Sequence, residues 1–109
     1  MNRGLICWVN LEDANPPEFG KVRPGLLVSN SAQNEVLDTV VIVPLSTRGK
    51  EIWPLRLGIT TPLAKVSFAV LPGIRQVNKA RLLERLGQAS PDFMRGLDRA
   101  LRAYLTEEA

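Results

Sequence analysis

Three segments of this chain each set an arginine at the end of an apolar run. The first is Lys21-Val22-Arg23-Pro24-Gly25-Leu26-Leu27-Val28-Ser29-Asn30. Pro24 pushes the backbone of Arg23 toward extended conformations, and Leu26–Val28 reads as a buried strand that ends in a polar Ser-Asn-Ser turn. A permanently charged fork at the mouth of a strand suits a phosphate or a carboxylate. Taken alone, the segment is better read as a surface ion pair. The second, Val40-Val41-Ile42-Val43-Pro44-Leu45-Ser46-Thr47-Arg48, repeats the design with two hydroxyls before its arginine. The third, Ile74-Arg75-Gln76-Val77-Asn78-Lys79-Ala80-Arg81-Leu82, places Arg75 at an element boundary.

The residues that are missing narrow the chemistry. There is no histidine among the 109 residues, which removes the usual acid–base group near neutral pH, the Ser-His-Asp arrangement and most zinc sites. Catalysis then falls to carboxylates, hydroxyls, arginine, lysine or a carboxylate-held metal. Glu12-Asp13 and Glu107-Glu108 stand in a loop and a tail with no metal-site context, and both read as solvated charge. No metal and no other cofactor is expected. The one cysteine, Cys7, excludes an intrachain disulfide and lies in an apolar strand pattern, as a buried inert thiol would. The net charge of +3 permits an anionic partner without demanding one. Its excess lies in residues 65–109, where eight basic residues face five acidic ones. The start of the chain lacks the apolar core of a signal peptide and no segment approaches membrane-spanning length, so a cytoplasmic location away from membranes is the default.

The elements that must position these side chains are short. A chain of this length is one domain that buries about 65% of its unfolded surface, and a hydrophobic fraction of 45% supports a core. Leu5–Leu11, Leu26–Val28, Val40–Val43, Leu55–Ile59 and Val66–Leu71 read as strands, with Ile74–Val77 continuing after the Pro72-Gly73 kink. Their spacing predicts a small barrel or sandwich. Lys79–Leu86 reads as a helix capped by Gly87. A second helix starts at Ser90-Pro91-Asp92, an N-cap serine before proline and an acid. Its apolar stripe of Phe93, Leu97, Leu101 and Tyr104/Leu105 would pack on the sheet or on a second subunit.

With the opening Arg3-Gly4-Leu5-Ile6-Cys7-Trp8-Val9-Asn10-Leu11, the arginine-bearing segments resemble, in the same order along almost the whole chain, the MazF/PemK family of toxin endoribonucleases. The resemblance implies one domain over residues 1–109 and a mainly β (α+β) fold. That fold is a small SH3-like β-barrel of the PemK/CcdB type with a C-terminal α-helix, as an isologous homodimer. It also implies the toxin of a type II toxin–antitoxin pair, a sequence-selective and metal-independent endoribonuclease acting on single-stranded RNA, messenger RNA above all. Such an enzyme lets the 2′-OH attack the adjacent phosphorus and leaves 2′,3′-cyclic phosphate and 5′-OH ends; DNA lacks that hydroxyl. The implied inhibitor is a cognate antitoxin whose disordered acidic segment covers the RNA groove.

By position, Arg23 matches the family's Arg-Pro arginine at the scissile phosphate. Ser46 matches its hydroxyl residue, with Thr47 in the adjacent slot; without the resemblance both would be read as turn residues. Arg75 matches the arginine of the family's Gln-Ile-Arg segment, or else forms an ion pair with Glu84 or Glu18. Lys21, Arg48 and Lys50 are candidate phosphate contacts, and Trp53 a stacking surface for a base or a cover for the core. Two departures stand out. Pro72-Gly73 occupies the place of an acid–glutamine pair, so no general base is assigned there. Pro17-Glu18-Phe19-Gly20 replaces a common Gly-x-Glu-Gln and keeps only Glu18, as a substitute base or an anchor for Arg23. Two other functions fit the same barrel: a DNA gyrase poison, disfavoured by the acidic C-terminal end without an aromatic, and a non-catalytic RNA-binding module.

Overall fold

In the computed structural model, which describes residues 1–108, the apolar run after Gly4 becomes strand β1 (Leu5–Asn10). Strand β2 (Val22–Leu27), helix α1 (Ser31–Val36) and strand β3 (Thr39–Ser46) follow. Strands β4 (Arg56–Ile59), β5 (Ser67–Val70), β6 (Arg75–Asn78) and β7 (Leu82–Gln88) lead to helix α2 (Pro91–Thr106). All strand pairs are antiparallel, in the order β4-β5-β3-β2-β1-β7, with β6 beside the first half of β3. The outer strands β4 and β7 are not joined, so the sheet is barrel-like but open.

Both faces of this sheet are buried, which is why β1 and β3 read as continuous apolar runs rather than as alternating ones. Ile6, Leu26, Val43, Leu45, Leu57 and Ala69 gather on one face with Leu97 and Ala100 of α2. Leu5, Cys7, Val9, Leu27, Val40, Ile42 and Val77 form a second cluster on the other. Helix α2 begins as its sequence predicts: the Ser90 hydroxyl accepts a hydrogen bond from the Phe93 N–H at 3.1 Å, and Pro91 and Asp92 fill the first turn. Its predicted stripe packs on the sheet from Phe93 to Tyr104 while Leu105, in the last turn, is exposed, as are Arg95, Arg99 and Arg102.

The first of the two expected helices does not form. Lys79–Leu86 is not a helix: residues Lys79–Arg81 form a single 3₁₀ turn and Leu82 opens β7. Strand β7 pairs with the free edge of β1, Leu5 with Gln88 and Val9 with Leu82, and that long-range ladder overrides local helix propensity. Gly87 lies inside β7 rather than capping a helix, at a point where a Cβ would stand 2.4 Å from Pro62 Cγ. Helix α1 went unpredicted because it is one short segment with no apolar stripe, held by the Asn30 side chain accepting from the Ala32 N–H. No helix among the described residues is long and apolar enough to cross a membrane.

Leu97 is fully buried between α2 and the sheet. Leu97→Ala is expected to cost about 2–5 kcal/mol in urea unfolding. A loss below about 1 kcal/mol would show that α2 does not close this core.

Candidate functional site

The register of the central strands assembles the site. Strands β2 and β3 pair from Leu27 opposite Ile42 to Gly25 opposite Pro44. Continued two residues further, the same register sets Arg23 opposite Ser46. Ser46 in turn pairs with Phe68 of β5, and Phe68 with Gly58 of β4. Alternation along each strand puts Pro44, Val70 and Arg56 on that same face. Phe19, Lys21, Arg23, Ser46, Thr47, Arg48, Gly49 and Arg56 line the resulting groove, about 610 Å³ in volume. Four of them are cations and none is a carboxylate.

Arg23 is held by neutral partners. Its Nε donates to the Gly20 carbonyl at 3.1 Å and its guanidinium lies over the Phe19 ring, 4.8 Å from the centroid. Among the described residues its terminal nitrogens have no intramolecular partner and no carboxylate pairs with it, so the ion-pair reading of this segment is not what the fold builds. Glu18 does not anchor Arg23 either; its carboxylate accepts the Asn15 N–H at 3.0 Å.

Ser46 is 8% exposed and its hydroxyl oxygen accepts the Arg48 N–H at 3.2 Å. The turn-forming use of this hydroxyl is therefore present, and its own proton remains free to be donated. Thr47 is exposed beside it. The turn is braced from behind by a residue that sequence reasoning passed over. Arg56 Nη2 donates to the Arg48 carbonyl, and the guanidinium lies 5.7 Å from the Phe68 centroid. Its Nε is buried without a hydrogen-bond partner among the described residues. Gly49, with φ of 89°, leaves room for this brace, since a Cβ there would stand 2.7 Å from Arg56 Nη2. Phe19, the ring beneath Arg23, was also missed. Only alternation within Leu55-Arg56-Leu57-Gly58-Ile59 hinted that Arg56 faces outward, and the strand register that brings it to Ser46 is not local information.

Lys21 enters the groove from a strained position: its φ of 63° is the left-handed region, rare for a lysine. Its carbonyl accepts the Leu11 N–H at 2.7 Å, which ties the start of β2 to the end of β1.

Glu18 and Arg75 lie apart from this groove, in a neighbouring cavity of about 320 Å³ that shares Phe19 with it. Arg75 pairs with neither Glu84 nor Glu18. Its Nη2 meets Asp13 at 3.3 Å, and Arg81 Nη2 meets the same carboxylate oxygen at 3.0 Å. Asp13 is thus not free solvated charge. The hydrogen bond from Arg75, aided by the charges of Arg75 and Arg81, holds its carboxyl below the usual carboxylate range. Lys50 and Trp53 line neither cavity; Trp53 is 57% exposed and does not cover the core. Burial pushes the Cys7 thiol up, as suits an inert side chain. No three His, Cys, Asp or Glu side chains gather as metal ligands among the described residues.

Residues 2–105 match the family described as PemK-like, MazF-like toxin of type II toxin–antitoxin system. Among solved structures, an endoribonuclease in complex with its cognate antitoxin from a mycobacterial species is 25% identical with a TM-score of 0.83, over 100% of this chain and 98% of the other. A second mycobacterial endoribonuclease is 26% identical with a TM-score of 0.80, over 96% of this chain and 90% of its own. MazF from Deinococcus radiodurans is 24% identical with a TM-score of 0.83 over 96% of each chain and supports the fold.

Two measurements probe the geometry. Gly49→Ala is expected to cost roughly 1–2 kcal/mol, from the left-handed backbone and from the approach of Arg56. In an Arg56→Ala background the loss should be smaller; equal losses in urea titrations would show that no clash exists. The depressed Asp13 carboxyl stabilises the loop above about pH 4, its unfolded value. That contribution fades as pH falls through the lower folded value. Asp13→Asn should therefore flatten the acid limb of the unfolding curve, and an unchanged limb would exclude the pair as its source.

Proposed function

This chain belongs to the PemK-like, MazF-like toxins of type II toxin–antitoxin systems, and we propose that it is a sequence-selective endoribonuclease that cuts single-stranded RNA without a metal ion. The reaction is attack of a 2′-OH on the adjacent phosphorus, with departure of the 5′-oxygen, to leave 2′,3′-cyclic phosphate and 5′-OH ends. The observation that carries this reading is Arg23: a guanidinium held by a carbonyl and an aromatic ring, its fork unpaired, in a groove whose lining has cations and hydroxyls but no carboxylate. A phosphoryl group gaining negative charge is stabilised by donors already in place.

In this reading Arg23 binds the non-bridging oxygens of the scissile phosphate. Ser46 donates a hydrogen bond from its hydroxyl to the same group, with Thr47 beside it, while the proton of the attacking 2′-OH passes to solvent and the departing 5′-oxygen takes one up from it. Lys21 and Arg48 hold flanking phosphates, and Glu18 and Arg75 bind the strand from the neighbouring cavity. Lys50 and Trp53 meet the RNA beyond the groove, where the exposed indole can stack on a base. The mycobacterial endoribonuclease is held by its cognate antitoxin. A corresponding antitoxin with an acidic segment fits the cationic groove here, and two copies of this chain form the toxin.

The test is incubation of the purified protein with long single-stranded RNA in EDTA, followed by mapping of the ends. Discrete cuts with cyclic-phosphate and 5′-OH ends are expected. Arg23→Ala should lower the rate about 10²- to 10³-fold, the scale for loss of one such donor. Undiminished cutting by Arg23→Ala, or cutting only when magnesium is restored, would overturn the reading.

A further inference from the structure

We propose that the apolar cavity beside the groove holds one unstacked guanine base of the RNA, read by Glu18 and Arg75. The inference rests on the nuclease reading for its substrate class, and it adds the identity of a base. The cavity measures about 320 Å³, at the small end of small-molecule sites, roughly 300–1,000 Å³. Its walls are Phe19, Pro44, Pro72 and Ile74, apolar groups, and among the described residues its charged lining consists of Glu18 and Arg75. Sequence-specific recognition of RNA works on splayed bases stacked against such surfaces and hydrogen-bonded along their edges.

Position links the cavity to the groove. Phe19 lines both, and the Arg23 guanidinium lies over its ring. A nucleotide whose phosphate meets Arg23 can therefore turn its base past the Phe19 edge into the cavity. Gly73 sets the wall opposite: a Cβ there would stand 2.5 Å from Pro44 Cγ and 3.3 Å from Phe19 Cδ2. Pro72 and Gly73 leave this wall without polar side chains. Recognition then falls to Glu18 and Arg75.

Their chemistry selects guanine. The Glu18 carboxylate is pinned by the Asn15 N–H through Oε1 and keeps further acceptor capacity. Arg75 is steered by Asp13 through Nη2, and its Nη1 has no intramolecular partner among the described residues. The cavity thus offers acceptors from one residue and donors from the other. Guanine alone of the four bases presents two adjacent N–H donors, N1 and N2, together with the O6 and N7 acceptors favoured by arginine. Adenine and cytosine each set a ring acceptor beside their amino group, and uracil has a single N–H between two carbonyls. Each would leave part of Glu18 unpaired.

The experiment has two arms. In the first, a random-sequence RNA is digested and the cut sites are aligned. In the second, short 2′-deoxy strands, which this chemistry cannot cut, carry one guanine, inosine, adenine, cytosine or uracil, and their binding is followed by fluorescence anisotropy. The expected result is guanine at one fixed position beside the cut, and roughly ten- to hundredfold tighter binding of guanine than of adenine, cytosine or uracil. Inosine, which lacks the N2 amino group, should fall between. Glu18→Gln should shrink the guanine-to-inosine ratio toward one with an unchanged unfolding midpoint, a change that mere loosening of the loop would not produce. RNA cut at sites that lack guanine overturns the pocket and leaves the nuclease standing. Guanine-selective binding without any cutting keeps the pocket and removes the nuclease. Equal binding of all five strands, or a full preference retained by Glu18→Gln, overturns the proposal.

Discussion

The pairing of β2 with β3, and the place where it stops, is the constraint on which the groove depends. The ladder ends at Gly25 opposite Pro44. Val28 donates to the Val41 carbonyl, so by alternation the bonding positions that follow are Leu26 and then Pro24, and Pro24 has no N–H to give to β3. Arg23 and Ser46 are therefore opposed in register but not laced together, and the space between them becomes the groove. A slip of one residue would turn every side chain of β2 to the wrong face. The two cores forbid it: Leu26 is fully buried on one side and Leu27 on the other. Gly25 adds a third lock, because a Cβ there would approach Val9 Cγ2 to 2.8 Å.

Four cations in one groove repel each other, and the fold meets that cost without neutralising them. Arg23 is held by the Gly20 carbonyl and the Phe19 ring, Arg56 by the Arg48 carbonyl and the Phe68 ring. Dipoles and aromatic faces fix a guanidinium while leaving its charge unpaired. A carboxylate would fix it equally well and cancel the field that draws a polyanion. The acid Asp13 is instead spent on Arg75 and Arg81, away from the groove. The division explains why neither neighbouring cavity repeats the other: one is cationic, and the other is apolar with one charge of each sign.

What could be read in the sequence was local. The apolar runs that became β1 and β3 to β6 show in windows of a few residues, and so does the Ser90 cap of α2. Arg23 and Ser46 stood out through the family resemblance; taken alone, the first reads as an ion pair and the second as a turn residue. The misread stretch, Lys79–Leu86, has good helix formers, and its part from Leu82 onward is strand only because β1 offers an unpaired edge. Arg56 and Phe19 escaped for the same reason: nothing near them in sequence says which turn or guanidinium they meet. The partner of Arg75 was sought in Glu84 or Glu18, yet it is Asp13, 62 residues away. Spacing shows which residues are capable of chemistry, whereas strand register decides which of them meet.

A groove without histidine places unusual weight on how one hydroxyl is held. Ser46 Oγ accepts the Arg48 N–H, and the carbonyl of that same Arg48 accepts from Arg56. The residue after Thr47 is thus gripped at both of its backbone polar groups, by the hydroxyl it orients and by the guanidinium behind it. With one lone pair of Oγ committed to the backbone, the Ser46 proton has fewer directions in which to point. Removing Arg56 would leave the hydroxyl in place chemically and release the peptide that aims it. Gly49 permits that grip because any Cβ would collide with Arg56. Arg48-Gly49 is therefore as much a part of the site as Ser46, although neither residue's backbone touches the phosphate in the proposed chemistry.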